Sequence, residues 1–106
     1  MKDQHTKIKG YRDLSQADID LMNRIKEKGA ELLLLQTELV GRLGADLELK
    51  REAVKTAKSA GADEASDELE LARFQAAEPL RWAAMGKTDI QTGIMALVRA
   101  VAQPLI

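Results

Sequence analysis

Apolar residues recur every three to four positions along most of the chain, which is the spacing of one face of an α-helix. The first such stretch carries this repeat at Ile19, Met22 and Ile25. Ser15 precedes it and Asp18 follows three positions later, which resembles a capping box with aspartate in place of the usual Glu or Gln. The pattern predicts a first helix from Gln16 to about Ser59. Gly29 interrupts the repeat and predicts a bend, because glycine costs about 1 kcal/mol against alanine in a helix.

A second helical arm follows the turn SAGADEAS, residues 59 to 66. Pro79 must kink this arm or start a new segment, because proline lacks the amide donor and clashes with the preceding turn. Thr88 and Gln91 form a second capping-box pattern. The sequence therefore predicts a second arm that is kinked around residues 79 to 88.

Four consecutive leucines, residues 32 to 35, cover every face of the first helix. A helix that is apolar all round is buried all round, and one partner arm cannot enclose it. No alternating strand pattern is present. We therefore expect an all-α fold: a single helical domain over residues 1–106, built as an antiparallel hairpin with a kinked second arm and assembled into a homo-oligomer.

Composition narrows the classes of function. The chain has 106 residues, no cysteine and a formal charge of −1. This balance argues against generic binding of duplex DNA, which relies on many cationic contacts to phosphates. No apolar stretch approaches the roughly 20 residues that cross a bilayer, and the first residues lack a signal-peptide core. A small anionic ligand held by a few cations remains compatible with these numbers.

The sequence lacks the combinations of residues that form common enzyme active sites. His5 is the one histidine, so neither a histidine metal site nor a catalytic triad has a second member. An acidic cluster at residues 63 to 70 lacks the ligand spacing of a calcium loop and is typical of a helix start. GKT at residues 86 to 88 lacks the other parts of a phosphate loop. The sequence predicts a protein that is not an enzyme and that has no cofactor.

Tyr11 is the one tyrosine of the chain and stands ahead of the first helix, outside the apolar repeat. A packing role is the ordinary explanation for Phe74 and Trp82, whose spacing of eight residues would put them on one helix face. A packing role does not account for Tyr11, which lies outside the apolar repeat. Aromatic rings outside a core can stack on nucleotide bases, at about 1 to 3 kcal/mol per base.

Two segments, HTKIKGYRDLSQADIDLMNRIKEKGAEL and RWAAMGKTDIQTGIMALVRAVAQP, resemble the phage anti-CBASS proteins. These are cyclic-oligonucleotide sponges, related in the second segment to the phage sponges that counter Thoeris defence. The resemblance implies a homohexamer in the cytoplasm of the infected bacterial host. It implies binding of cyclic dinucleotides such as cGAMP, and of cyclic trinucleotides, without cleavage. At the matching positions, the ring of Tyr11 stacks on a base and the ammonium of Lys26 meets a phosphate.

The candidates for a trinucleotide site follow more loosely from the resemblance. They are Arg12, Lys28 and Arg81, of which the last two are equally compatible with surface charges. A different class of function is an oligomeric helical adaptor that binds a protein partner, which the leucine run supports equally well. A basic stripe at Lys7, Lys9 and Arg12 keeps nucleic-acid binding as a third alternative.

Overall fold

The computed structural model describes residues 12–105, which form three helices: α1 (Gln16–Ser59), α2 (Ala65–Ala77) and α3 (Pro79–Ala102). No strand occurs within this range. The all-α prediction and both ends of the first helix are confirmed. Tyr11 and His5 lie outside the described residues, so the structure says nothing of their surroundings.

The start of α1 is a reciprocal capping box. The backbone N–H of Asp18 donates to Oγ of Ser15 at 3.1 Å, and the backbone N–H of Ser15 donates to Oδ2 of Asp18 at 3.1 Å. Two amides that have no partner inside the helix are thereby satisfied. Aspartate serves here in the position where glutamate is usual, as the sequence indicated.

The turn between α1 and α2 follows from one glycine and one aspartate. Gly61 has φ +70°, which glycine adopts without the steric cost that a Cβ imposes. Its neighbour Ala62 donates its N–H to the carbonyl of Ala57 at 2.9 Å, as in a C-terminal helix cap. Asp63 then accepts the N–H of Ala65 at 3.0 Å and starts α2.

The second arm breaks at one residue, Glu78, which adopts the left-handed conformation with φ 50° and ψ 49°. Pro79 follows as the first residue of α3, where its missing N–H costs nothing. The kink at Pro79 is confirmed. The second helix start predicted at Thr88 is wrong, because α3 continues through it without interruption. A lone glycine ahead of it, Gly86, costs about 1 kcal/mol, which is too little to end a helix.

The chain divides into two compact units. The first, called the terminal unit, combines Met1–Leu34 with Lys87–Ile106, and the second, called the middle unit, is Leu35–Gly86. Within each unit, earlier residues of α1 contact later residues of the second arm. The antiparallel pairing of the two arms is therefore confirmed in each unit taken by itself.

Gly29 lies buried in the terminal unit, where α1 meets α3. A Cβ at this position would overlap Cδ1 of Ile94 and would lie 2.5 Å from its Cγ1. Glycine thus allows close packing of α1 on α3, since an alanine would force the Ile94 side chain to move. α1 continues through Gly29 as one helix, and the bend predicted there stays a prediction.

The middle unit has a small core around Phe74, which is 7% exposed, and Ala83, which is 8% exposed. The ammonium of Lys50 lies 5.3 Å from the centre of the Phe74 ring, and the side-chain amide of Gln36 donates to the carbonyl of Ala83 at 3.0 Å. Trp82 is 58% exposed. Its predicted core role is wrong for the single chain, because the break at Glu78 separates α3 from the helix that carries Phe74.

The leucine run of α1 remains largely uncovered in the single chain. Leu34 is 72% exposed, Leu35 is 58% exposed and Leu32 is 48% exposed. Burying such side chains contributes about 1.5 to 3 kcal/mol each. A large apolar surface is therefore left for another molecule to cover.

Replacing Gly29 with alanine is expected to destabilise the protein, although alanine favours helices. Overpacking against Ile94 costs about 1 to 3 kcal/mol, which exceeds the gain of about 1 kcal/mol in helix propensity. Denaturant unfolding at fixed protein concentration measures the change.

The matched control is Gly41→Ala, since a Cβ there meets no atom within 4 Å, and this variant should be stabilised. Combining Gly29→Ala with Ile94→Val should restore part of the loss. Equal stability changes in the two glycine variants would show that the contact is not tight.

Candidate functional site

Arg12 lies at the start of the described chain and joins the two helices of the terminal unit. Its Nη2 donates to the carbonyl oxygen of Val101 at 2.7 Å and lies 3.1 Å from Oδ2 of Asp18. The same guanidinium donates from Nη1 to the carbonyl of Asp13 at 3.4 Å. Arg12 therefore has acceptors on both α1 and α3.

Asp18 is the centre of this cluster, which we call the N-terminal clasp: Arg12, Ser15, Asp18 and Val101. The backbone N–H of Ser15 is the main reason why the pKa of Asp18 lies below its ordinary value, and the charge of Arg12 lowers it further. Partial burial acts in the opposite direction and is outweighed. Asp18 is therefore held as a carboxylate, the form that accepts both bonds.

Lys26 lies on the exposed side of α1. Among residues 12–105, no carboxylate forms an ion pair with it. An exposed ammonium without an internal partner carries three donors that an anion can accept. Compared with Arg12, Lys28 and Arg81, which each have an ion-pair partner, Lys26 is the more available to a phosphate.

Lys28 and Arg81 each have a carboxylate close along their own helix or arm. The ammonium of Lys28 lies 3.4 Å from Glu31, and both side chains are more than half exposed. Arg81 lies 3.3 Å from Glu78 and 5.5 Å from the ring centre of Trp82. Exposed pairs of this kind contribute about 0.2 to 1 kcal/mol, so either cation can exchange its partner for a phosphate at small cost.

Position in the fold separates these candidates. Arg12, Lys26 and Lys28 belong to the terminal unit, whereas Arg81 belongs to the middle unit. The structure therefore brings three of the four described candidates into one compact unit. The three cations do not form one cluster. Arg12 pairs with Asp18, and Lys28 pairs with Glu31.

The terminal unit also contains an open apolar groove of about 450 Å³. Arg24 and Lys28 border it on the α1 side. Its remaining lining comes from both helices: Leu21, Ile25, Gly29, Leu32, Ile90, Gly93, Ile94 and Leu97. This groove was not predicted from the sequence. The signal was present in the spacing of four between Leu21, Ile25 and Gly29, which places the glycine in an apolar stripe.

The described residues offer no cluster of metal ligands and no membrane-spanning helix. Residues 12–105 contain no group of three or more His, Cys, Asp or Glu side chains that could hold a metal ion. Asp63 of the acidic cluster accepts the N–H of Ala65, the first residue of α2, and Asp67 and Glu68 lie in the first turn of that helix, where carboxylates interact favourably with the helix dipole. In the described part of the chain, no helix combines the length and the apolar character needed to span a bilayer.

The chain is similar in sequence to a known phage protein. No protein-family model matches the chain. The sequence is 66% identical over 105 residues to the anti-CBASS protein 2 of Pseudomonas phage JBD67, and the alignment covers 98% of this chain and 97% of that relative. Identity at this level over nearly the full length of both proteins establishes common ancestry and a common fold.

Proposed function

Because the chain belongs to the phage anti-CBASS protein family, we propose that it is a sponge for the cyclic nucleotide signals of bacterial immunity. It binds cyclic di- and trinucleotides in the infected cell and keeps them from the effectors that they activate. The signal is held intact. Removing the signal from solution is sufficient to block the response, so the protein needs no enzymatic activity.

The observation that carries this proposal is the exposed ammonium of Lys26 on α1, which has no ion-pair partner among residues 12–105. A charge-assisted bond from such a group to a phosphate contributes about 1.5 to 3 kcal/mol. In the proposed site the ring of Tyr11 supplies the second contact by stacking on a base. One aromatic ring and one cation match the two chemical parts of a nucleotide.

In this proposal two copies of the chain complete the site. Arg12 is held beside Asp18 at the start of α1. Lys26 is eight residues beyond Asp18, which corresponds to about 12 Å along a helix. Unless the segment before α1 folds back, a site shared between two chains brings the two groups together more readily than a site within one chain. Two antiparallel copies place each Tyr11 near the other's Lys26, and this two-fold arrangement matches the near two-fold symmetry of a cyclic dinucleotide.

The exposed leucines of α1 support self-association. A second copy is the partner that this surface fits, because the same side chains are available on every copy and no other partner is required. We propose a homo-oligomer, and the resemblance to the sponge family favours six copies. In such an assembly the binding residues of neighbouring chains come together without any change in fold.

A site for cyclic trinucleotides would draw on Lys28 and Arg81, with Arg12 as a third candidate. The weak exposed pairs of Lys28 with Glu31 and of Arg81 with Glu78 can open to admit phosphates. The clasp holds Arg12 more firmly, since that guanidinium has acceptors on two helices. Lys28 and Arg81 are therefore the better candidates of the three.

Incubation with a panel of cyclic di- and trinucleotides tests the proposal. A bound signal should raise the melting temperature in a concentration-dependent manner, since a ligand at 100 times its Kd stabilises the folded state by about 2.7 kcal/mol. Linear nucleotides of the same base composition are the matched control and should give little shift. Calorimetric titration then measures the number of sites per chain.

Recovery of the ligand separates a sponge from an enzyme. After denaturation of the complex, chromatography should return the cyclic nucleotide unchanged. Linear or cleaved product in amounts that grow with time would contradict sequestration and would identify a hydrolase instead.

The alternative is an oligomeric adaptor that binds a protein partner. One observation favours it: Trp82 is 58% exposed beside the guanidinium of Arg81, and tryptophan and arginine are enriched at the centres of protein interfaces. An adaptor gains no stability from any cyclic nucleotide. The absence of a thermal shift across the whole panel would therefore favour this second function.

A further inference from the structure

We propose that Trp82 and Arg81 form a second nucleotide-binding surface, on which the indole ring stacks on a base and the guanidinium binds a phosphate. The inference rests on the proposed function and extends it, because it adds Trp82 to the residues that bind the ligand. Every residue that carries it lies in the middle unit, Leu35–Gly86.

The exposure of Trp82 is the first observation. It is the one tryptophan of the chain and is 58% exposed on α3, whereas Phe74 of the same unit is 7% exposed. Tryptophan has one of the largest apolar surfaces of any side chain, and an exposed ring forgoes the gain of burying that surface. Every nucleotide base has a π-face that can cover such a ring.

Gly86 keeps the space beside this ring open. It lies four residues after Trp82 in α3, and residues four apart share a helix face. Helical side chains lean toward the N-terminus, so a larger side chain at position 86 would lean over Trp82. A Cβ at Gly86 would meet no atom within 4 Å. Glycine weakens a helix interior relative to alanine, and the access to the ring that it leaves explains its presence here.

Arg81 supplies the cation. Its guanidinium carbon lies 5.5 Å from the centre of the Trp82 ring, and its Nη1 donates to Oε2 of Glu78 at 3.3 Å. Both side chains of this ion pair are more than half exposed, so a phosphate can replace the carboxylate at small cost. A guanidinium carries five N–H donors in a planar fork that matches a phosphate. Adjacent residues therefore offer contacts for the base and for the phosphate of one nucleotide.

The charges beside the ring favour a nucleotide over a protein partner. Glu78 and Arg81 are exposed on either side of the point where the ring leaves the helix. The centre of a protein interface is depleted in charged residues, whereas a nucleotide needs an aromatic ring with a cation next to it.

Tryptophan fluorescence tests the proposal, because all of the tryptophan emission comes from residue 82. A cyclic dinucleotide or a cyclic trinucleotide of adenosine should quench the emission of the full chain in a saturable manner. The midpoint should match the Kd of one class of sites in a calorimetric titration. Trp82→Leu should weaken binding to that class about tenfold, and Trp82→Phe, which keeps a ring, should weaken it less.

Gly86→Leu separates blocked access from misfolding. Leucine favours a helix more than glycine does, so this variant should resist denaturant at least as well as the parent. Its nucleotide affinity should nevertheless fall about tenfold, because the new side chain covers the stacking surface. The matched control is Gly41→Leu in the same unit, where a Cβ also meets no atom within 4 Å, and this variant should bind like the parent.

The contrary outcomes are distinct. Calorimetric binding without quenching, together with parent-like affinity of Trp82→Leu, overturns the stacking surface and leaves the proposed function standing. A change of assembly mass in Trp82→Leu or Gly86→Leu, measured by light scattering, assigns the ring to a contact between copies and also overturns it. A parent that binds neither cyclic nucleotide overturns the proposed function together with this inference.

Discussion

Replacing Tyr11 with alanine is expected to weaken cyclic dinucleotide binding at least tenfold. The substitution removes a stacking surface that contributes about 1 to 3 kcal/mol per base, and 1.4 kcal/mol corresponds to a factor of ten. Calorimetric titration measures the loss. Tyr11→Phe is the matched control, because it keeps the ring and removes only the hydroxyl, and it should bind nearly as well as the parent. Parent-like binding by the alanine variant would leave Tyr11 as a surface residue and favour the adaptor function.

Lys26→Ala should cause a loss of similar size by removing the proposed contact between its ammonium and a phosphate of the ligand. The matched control is Lys55→Ala, which removes another exposed lysine of the same helix and should leave affinity unchanged. Equal losses in the two lysine variants would point to a general charge effect, which higher salt would screen. Helical content should remain that of the parent in both variants.

A mixture of the Tyr11→Ala and Lys26→Ala proteins distinguishes sites shared between subunits from sites within one chain. With crossed pairing, a mixed pair of subunits has one half-site that lacks both groups and one that keeps both. The mixture should therefore recover weak binding that neither variant shows alone, provided that the subunits exchange. If mixing restores nothing after exchange has been demonstrated by mass spectrometry, each site lies within a single chain.

Leu34→Glu is expected to dissociate the proposed homo-oligomer, which is the largest structural effect that we predict. Leu34 is 72% exposed in the single chain, so the substitution costs the isolated chain little. At an interface it would bury an unpaired carboxylate, a penalty of several kcal/mol. Light scattering should show a parent mass that is a multiple of 11.7 kDa and a smaller mass for the variant.

The control for this experiment is Leu105→Glu. This leucine is 85% exposed and lies beyond the end of α3, so the added charge should leave the mass of the assembly unchanged. A parent protein that stays folded and monomeric at micromolar concentration would remove the basis for the proposed oligomer. The exposed leucines would then be available to a different partner.

Local chemistry made much of the fold predictable. The cap at Ser15 and Asp18, the turn at Gly61 and the break before Pro79 each depend on residues within a few positions of one another. The errors and omissions concern longer distances. Gly29 interrupts a helical pattern in the sequence, but its reason is Ile94, which lies on another helix. Thr88 and Gln91 have the spacing of a capping box, but Thr88 lies inside α3, which continues through it without interruption.

The candidate site was predictable in part for the same reason. The exposure of Lys26 follows from its place outside the apolar repeat, because positions outside the repeat face solvent and not the core. The partners of Arg12 do not follow from the sequence, since Val101 is 89 positions away. A resemblance to known proteins can indicate that residues 10 to 26 matter. It does not show that the guanidinium of Arg12 is bound by Asp18 and Val101.

The division of the chain into units has a consequence for the order in which contacts form during folding. The middle unit is continuous in sequence, from Leu35 to Gly86, so its contacts close shorter loops, such as the 47 positions between Gln36 and Ala83. The terminal unit joins the two ends of the described chain, and its bond from Arg12 to Val101 spans 89 positions. Because a longer loop costs more entropy to close, we expect the clasp to form after the contacts of the middle unit. A chain shortened before Val101 lacks one partner of Arg12, so its clasp stays incomplete.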